Sequence, residues 1–225
     1  MLRCSDKDAV GAYRPVHLHT QGTTPMIGLM LAAATFIAAE PIDPERWLTV
    51  NDYPRSAVRY NGQTSQRIAI TVDPDGRTAA CQLVMAQSES FEKQVCNILK
   101  SRGRFRPAVE SGHPTWGVYT MTISFLMSNK TSPSLVMYDV VVPVNRLPGT
   151  GVPQGVEIVQ LVSADGKIEA CNVTNPSAYA ALNKLACKVA TVLPIRSVTD
   201  HAGASVRAVV KQTVMFAVDP AASPH

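Results

Sequence analysis

The 225-residue chain has few charged and few aromatic residues, and each shortage argues against a class of function. Charged residues make up 17% of the sequence, aromatic residues make up 6%, and the formal net charge is only +4. So small and dispersed a charge does not indicate a nucleic-acid-binding surface. The nearest approach to a basic cluster, residues 100–106, follows a predicted helix, where positive charge commonly complements the helix dipole.

Histidine and cysteine are also sparse, with five of each, and they are scattered. No two cysteines have the close spacing of zinc ligands, and no histidine recurs beside them. His113 and His201 stand in predicted turns, and Gly149-Thr150-Gly151 lacks the lysine of a phosphate-binding loop. We therefore expect no enzyme, no metal, no cofactor and no small-molecule substrate.

Long hydrophobic runs are missing as well. The apolar segment Met26–Ala39 is shorter than the ~20 residues that a membrane-spanning helix needs. Its small residues before Glu40 resemble a signal peptide cleaved after Ala39. Residues 1–25 are then a long, poor leading region, or an extension upstream of a true start at Met26. The alternatives are a short buried helix of a cytosolic protein, or an uncleaved segment that holds a periplasmic protein at the inner membrane.

The chain does contain an internal repeat. Asp73–Arg77, Cys81 and Cys96 return about 90 residues later as Ser163–Lys167, Cys171 and Cys187. Such self-similarity predicts two small domains of one fold. The predicted organisation is a signal-peptide-like segment at 1–39, a first domain at 40–128, a linker with a candidate extra strand at 129–154, and a degenerate second domain at 155–225.

Each copy has the hydrophobic periodicity of strand, strand, helix, strand. In the first copy, residues 67–72 and 79–85 alternate around a turn at Asp75-Gly76, residues 91–99 follow helical spacing, and residues 119–127 alternate again. The second copy repeats this order with strands at 156–162, 168–173 and 206–218. The predicted fold class is α+β, with an antiparallel three-stranded sheet and one packed helix in each domain.

The duplicated cysteine spacing predicts two disulfides, Cys81–Cys96 and Cys171–Cys187. Each would close a loop of about 15 residues and stabilise a small domain by ~3 kcal/mol. Disulfides persist outside the cytosol, so this pairing indicates export. In the alternative, the four cysteines are small buried hydrophobic residues in a reducing compartment.

Several elements together resemble the TonB carboxy-terminal domain family. They are Tyr53-Pro54, Gly62-Gln63, the Asp73–Arg77 turn, Phe91 and Arg104–Ala108, in that order over about 47–127. The second copy keeps Asp165-Gly166, its cysteines, Pro194 and Phe216, but it lacks the Tyr-Pro start and the Arg-Phe-Arg-Pro-Ala stretch.

The resemblance implies a periplasmic module that binds an extended segment of an outer-membrane receptor, the TonB box, by strand addition beside its last strand. The corresponding candidate on this chain is 116–125, together with Tyr53 and the 104–107 stretch. The candidate partner-binding residues are Tyr53, Arg104, Arg106, Trp116, Tyr119, Thr120, Thr122 and Ser124. In the alternative, Tyr53, Phe105 and Phe125 simply fill the core.

The chain departs from a full TonB energy transducer. It has no long proline-rich spacer and no long apolar anchor carrying a histidine. This favours a binding role without energy transduction. A second hypothesis is an envelope scaffold that uses open sheet edges to form a homodimer or to bind another envelope protein.

Overall fold

The structure, a computed structural model, describes residues 35–53, 64–86, 91–125, 138–149, 151–190 and 198–218. Two α-helices lie within this part of the chain, α1 (Glu92–Arg102) and α2 (Ala180–Ala190). The strands are β1 (Phe36–Ile37), β2 (Glu40–Pro41), β3 (Thr64–Val72), β4 (Thr78–Ala86), β5 (Phe105–Arg106), β6 (Ala108–Glu110), β7 (His113–Thr115), β8 (Gly117–Phe125), β9 (Val140–Val144), β10 (Gln154–Val162), β11 (Ile168–Asn175) and β12 (Ala208–Val218). Short 3-10 turns form at Pro44–Arg46 and Val50–Asp52.

Both predicted strand-strand-helix-strand units are present. In the first, β3 pairs antiparallel with β4 and with β8, and α1 follows β4. In the second, β10 pairs antiparallel with β11 and with β12, and α2 follows β11. The α+β fold class is confirmed.

The two sheets are joined, which the sequence did not predict. Strand β12 runs parallel to β8, with Val209 opposite Gly117 and Val210 opposite Val118. A single seven-stranded sheet results, in the order β11-β10-β12-β8-β3-β4, and β9 pairs with β12 beside this path. Strand β9, which lies between the two copies in the sequence, runs parallel to the far half of β12.

The two helices cover opposite faces of this sheet. Ile68 and Ile70 of β3 pack in one buried cluster with Val95 and Leu99 of α1. A second buried cluster joins Leu182 and Ala186 of α2 to Val156, Ile158, Val214 and Phe216. Val209 shares the α1 cluster, and side chains alternate along β12, so Val214 and Phe216 lie on the other face.

Each helix is tied to its hairpin by the predicted disulfide. Cys81 on β4 is bonded to Cys96 on α1, and Cys171 on β11 is bonded to Cys187 on α2. The Cα atoms of the two pairs are 5.5 Å and 5.8 Å apart, as ordinary disulfide geometry requires.

Residues 36–39, which the sequence pattern assigned to the signal-peptide-like segment, belong to the folded unit. Strand β1 pairs with β6, and Phe36, Ala38 and Ala39 are buried in the α1 cluster. Residues 26–34 of the apolar run lie outside the described part of the chain, as do Pro54 and Gly62-Gln63 of the family pattern.

Candidate functional site: the outer edge of strand β8

The candidate site is the edge of β8 that faces away from β3. The Trp116 carbonyl, just before β8, accepts a hydrogen bond from the Val209 amide at 2.9 Å, so it points outward to β12. Main-chain groups alternate in direction along a strand. The N–H and C=O groups of Thr120, Thr122 and Ser124 therefore face the same outward side.

The second copy covers only the start of this edge. Strand β12 pairs with Gly117 and Val118, and its ladder then passes to β9, beginning at Val140 opposite Val214. Among the described residues, no strand pairs with the outer edge of β8 beyond Val118. The candidate edge is consequently shorter than the predicted 116–125 stretch and centres on Thr120–Ser124.

An ion pair lies where β8 and β12 separate. The Arg67 guanidinium of β3 donates to the Asp139 carboxylate at 2.6 Å, and the two side chains are only 8% and 13% exposed. The other Asp139 oxygen accepts the Thr213 amide of β12 at 2.7 Å. Asp139 therefore links the two copies. Sequence reasoning missed this link, because the only sign of it is a polar residue, Arg67, at one position of an alternating strand.

Thr122 lies directly opposite Arg67 in the β3–β8 ladder. Its hydroxyl oxygen is buried and has no hydrogen-bond partner among the described residues, and the same holds for Arg67 Nε. An unpaired buried polar atom costs ~1–3 kcal/mol. The next outward residue, Ser124, is better satisfied, because its hydroxyl lies 2.7 Å from the Ser65 hydroxyl.

Two of the predicted site residues contact the core. The Tyr53 ring packs edge-on against Phe125, with ring centroids 5.5 Å apart, and the Tyr119 ring lies 5.7 Å from Phe105. Phe105 and Phe125 are themselves buried, as the core-filling alternative predicts. Burial raises the pKa of the Tyr119 hydroxyl, and the Lys211 ammonium partly opposes that shift.

Of the two predicted arginines, Arg104 follows the end of α1 and Arg106 lies on β5, opposite Glu40 of β2. Arg104 donates to the carbonyls of Ser101 at 3.1 Å and Gly103 at 2.7 Å, so it caps the helix carboxyl end. The Arg106 guanidinium, which is exposed, is 3.3 Å from the Glu40 carboxylate. The structure does not bring these arginines together with Thr120, Thr122 and Ser124.

Trp116 lies between the two copies at the start of the edge. Its ring is half-buried and packs beside the buried cluster that contains Val162, Val198 and Val210. The His201 ring, from the loop before β12, lies 6.1 Å away, and His201 Nε2 is 2.9 Å from an oxygen of Asp73. His201 thus has a structural contact of its own, in keeping with the turn role predicted for it.

The described residues contain no group of three or more His, Cys, Asp or Glu side chains that could hold a metal ion. Within the same part of the chain, no helix has both the length and the apolar character to cross a membrane. The outward N–H and C=O groups of β8 can form main-chain hydrogen bonds to an extended peptide.

The described residues thus form a disulfide-bonded α+β unit whose strand β8 has an outer edge that no described strand pairs beyond Val118. In the comparison with known families, residues 49–127 match the Gram-negative bacterial TonB protein C-terminal family. This match confirms the resemblance seen in the sequence for that segment. The family implies a TonB-like envelope protein with an interaction role. No curated protein matches the chain.

Proposed function

We propose that the protein binds an extended segment of an outer-membrane receptor, of the TonB-box kind, by strand addition to the outer edge of β8. The observation that carries the proposal is the set of outward main-chain groups at Thr120, Thr122 and Ser124, which no described strand pairs. The family match at residues 49–127 supports the class of partner.

Three outward residues can pair with a peptide of about five residues. Each main-chain hydrogen bond contributes a net ~0.5–1.5 kcal/mol, so the backbone alone supplies modest affinity. The remaining affinity has to come from side chains next to the edge. In strand addition, the alternate side chains of the bound peptide contact such neighbours and also determine specificity. Thr120 and Thr122 are half-buried, whereas Ser124 is exposed. The side chains that a bound peptide would contact therefore become more exposed toward Ser124.

The docked second copy restricts this site. Pairing of β12 with Gly117 and Val118 leaves the far part of the edge for the partner. The bound segment would therefore start beside the Arg67–Asp139 ion pair, at the point where β8 and β12 separate.

The test is calorimetric titration of folded, oxidised protein with synthetic TonB-box peptides, together with Trp116 fluorescence. The Thr122→Pro variant removes one outward N–H group, whereas Thr122→Val keeps it and serves as the matched control. We expect saturable binding that Thr122→Pro weakens about tenfold or more and Thr122→Val changes little. Circular dichroism establishes that both variants are folded.

Peptide N-methylation supplies a second control. Methyl groups on alternate peptide nitrogens either face β8 or point away from it, so one set of positions should abolish binding and the other should not. Equal losses in both sets, or no binding by the folded protein, would contradict strand addition. In the latter case, a concentration-dependent dimer in sedimentation would favour the scaffold hypothesis.

A further inference from the structure

The residues just before Glu40 form part of the folded unit. Phe36 and Ile37 lie opposite Glu110 and Val109 in the β1–β6 ladder. The Thr35 carbonyl accepts the Ser111 amide at 2.7 Å, which extends this pairing by one residue.

The burial of this segment is substantial. Phe36 is 7% exposed, Ala38 is 9% exposed and Ala39 is 2% exposed, and all three lie in the cluster that contains Val159, Leu161 and Val209. This cluster extends from the first copy into the second. Cleavage after Ala39 would remove Phe36, Ala38 and Ala39 from this cluster, together with the β1–β6 ladder.

Membership of Phe36–Ala39 in the fold shortens the apolar run that a membrane could hold. The remaining run is Met26–Ala34, and Thr23, Thr24 and Pro25 precede it. Nine residues of helix extend about 13 Å, against a bilayer hydrocarbon core of about 30 Å. This run is too short for a membrane-spanning helix, but an apolar stretch that ends in small residues has the order of a signal-peptide core and its cleavage site.

We infer that the chain carries a processing site between Ala34 and Thr35, cut by a leader peptidase during export. Ala32 and Ala34 provide the small-x-small pattern that such cleavage requires, whereas cleavage after Ala39 would place the large Ile37 three residues back. The step is hydrolysis of one amide bond. Water adds across it, leaving a carboxylate on Ala34 and a free amine on Thr35.

The experiment expresses the full chain, with its own amino terminus and a carboxy-terminal tag, in a Gram-negative host. Amino-terminal sequencing and intact mass then identify the first residue of the periplasmic product. We expect Thr35. A product that starts at Glu40 or at any other residue, or an unprocessed chain in the membrane fraction, would overturn the inference.

Two variants make the assignment independent of sequencing. Ala34→Tyr places a large residue next to the proposed bond and should cause the precursor to accumulate. Ile37→Glu is the matched control, because Ile37 is 59% exposed and an acidic residue there should block only cleavage after Ala39. Normal processing of Ala34→Tyr together with a block in Ile37→Glu would show that the bond after Ala39 is the one cut.

A folding measurement tests the structural premise separately. Purified chains that begin at Thr35 and at Glu40 are unfolded in urea and compared by their midpoints. We expect the chain that begins at Thr35 to unfold at the higher urea concentration, because it alone keeps Phe36, Ala38 and Ala39. Equal midpoints would remove the reason for preferring the earlier bond. Neither result depends on whether the β8 edge binds a receptor.

Discussion

Gly117 occupies the point where β8 meets both the second copy and the segment around β1. A Cβ atom at this position would lie 2.8 Å from the Ala108 Cβ and 3.0 Å from the Ala39 Cβ. Both neighbours are short side chains that cannot rotate away, so we expect Gly117→Ala to destabilise the protein by ~1–3 kcal/mol. Urea unfolding followed by circular dichroism measures this difference.

Gly155 on β10 is the matched control for that substitution. A Cβ there would meet the Met215 Cε at 3.3 Å, and this atom is the far end of a flexible side chain. Gly155→Ala should therefore change the free energy of unfolding much less than Gly117→Ala. Equal effects would show that close packing around Gly117 is not the cause.

Asp52 gives the clearest pH dependence. Hydrogen bonds from Arg102, and then from the Thr49 amide, lower the pKa of the Asp52 carboxyl from 3.8 to about 2. A lowered folded-state pKa favours the charged form, so the contribution to stability is full above pH 3.8 and disappears as the pH falls through about 2. We expect Asp52→Asn to be less stable than wild type at pH 6, and the gap to close near pH 2.

Asp165 provides the contrast for this measurement. The Lys167 ammonium and the Ser163 hydroxyl also lower the pKa of the Asp165 carboxyl to about 2. However, the Lys167 and Asp165 side chains are 82% and 56% exposed, so solvent and salt screen their attraction. Asp165→Asn should consequently have little effect on the free energy of unfolding. A pH-dependent loss as large as that of Asp52→Asn would contradict this expectation.

At the scale of the elements, the disulfides act within the copies. Each cross-links a hairpin to the helix that follows it, over sequence separations of 15 and 16 residues. Replacing both cysteines of either pair with alanine should lower the free energy of unfolding by ~3 kcal/mol. The two double variants are controls for each other, because their loops are nearly equal in length. A much smaller loss in both, measured in urea, would contradict this chain-entropy account.

The strands, helices and disulfides of each copy were predictable because they depend on local patterns. Alternation gave the hairpins, helical spacing gave α1 and α2, and the duplicated spacing gave the cysteine pairs. Strand β1 was missed because its apolar residues continue directly from the apolar run before it. A buried β-strand and the end of a signal peptide can have the same amino-acid composition. Only the pairing of β1 with β6 distinguishes the two interpretations of this segment.

The candidate site was predictable only in part, for a similar reason. The alternating pattern located β8, but docking of β12 on it depends on main-chain groups that every residue carries. The Arg67–Asp139 ion pair joins residues 72 positions apart in the sequence. Neither residue lies in a sequence motif that would predict the other as its partner. The two arginines at 104 and 106 were assigned to the edge by family resemblance alone, and their contacts are to the end of α1 and to Glu40.

At the scale of the whole molecule, the two copies share both backbone pairing and core. Val209 donates to the Trp116 carbonyl, and Arg207 lies within 2.8 Å of carboxylates on both copies, Glu110 and Glu169. Together with the shared cluster, these contacts couple the stability of one copy to the other. We expect a single cooperative urea transition, with coincident midpoints from Trp47 and Trp116 fluorescence and from circular dichroism.

The Val209→Pro variant tests where that coupling resides. It removes the amide that bonds to Trp116, and by strand alternation the Val209 main chain faces β8, so its loss spares the β10–β12 ladder. In this variant we expect the tryptophan-fluorescence transition and the circular-dichroism transition to have different urea midpoints. Val209→Ala keeps the amide, so it should lower the midpoint while the two transitions stay coincident. Two transitions in the wild-type protein would instead indicate independent domains. In that case the edge of β8 could be exposed along its whole length whenever the second copy detaches.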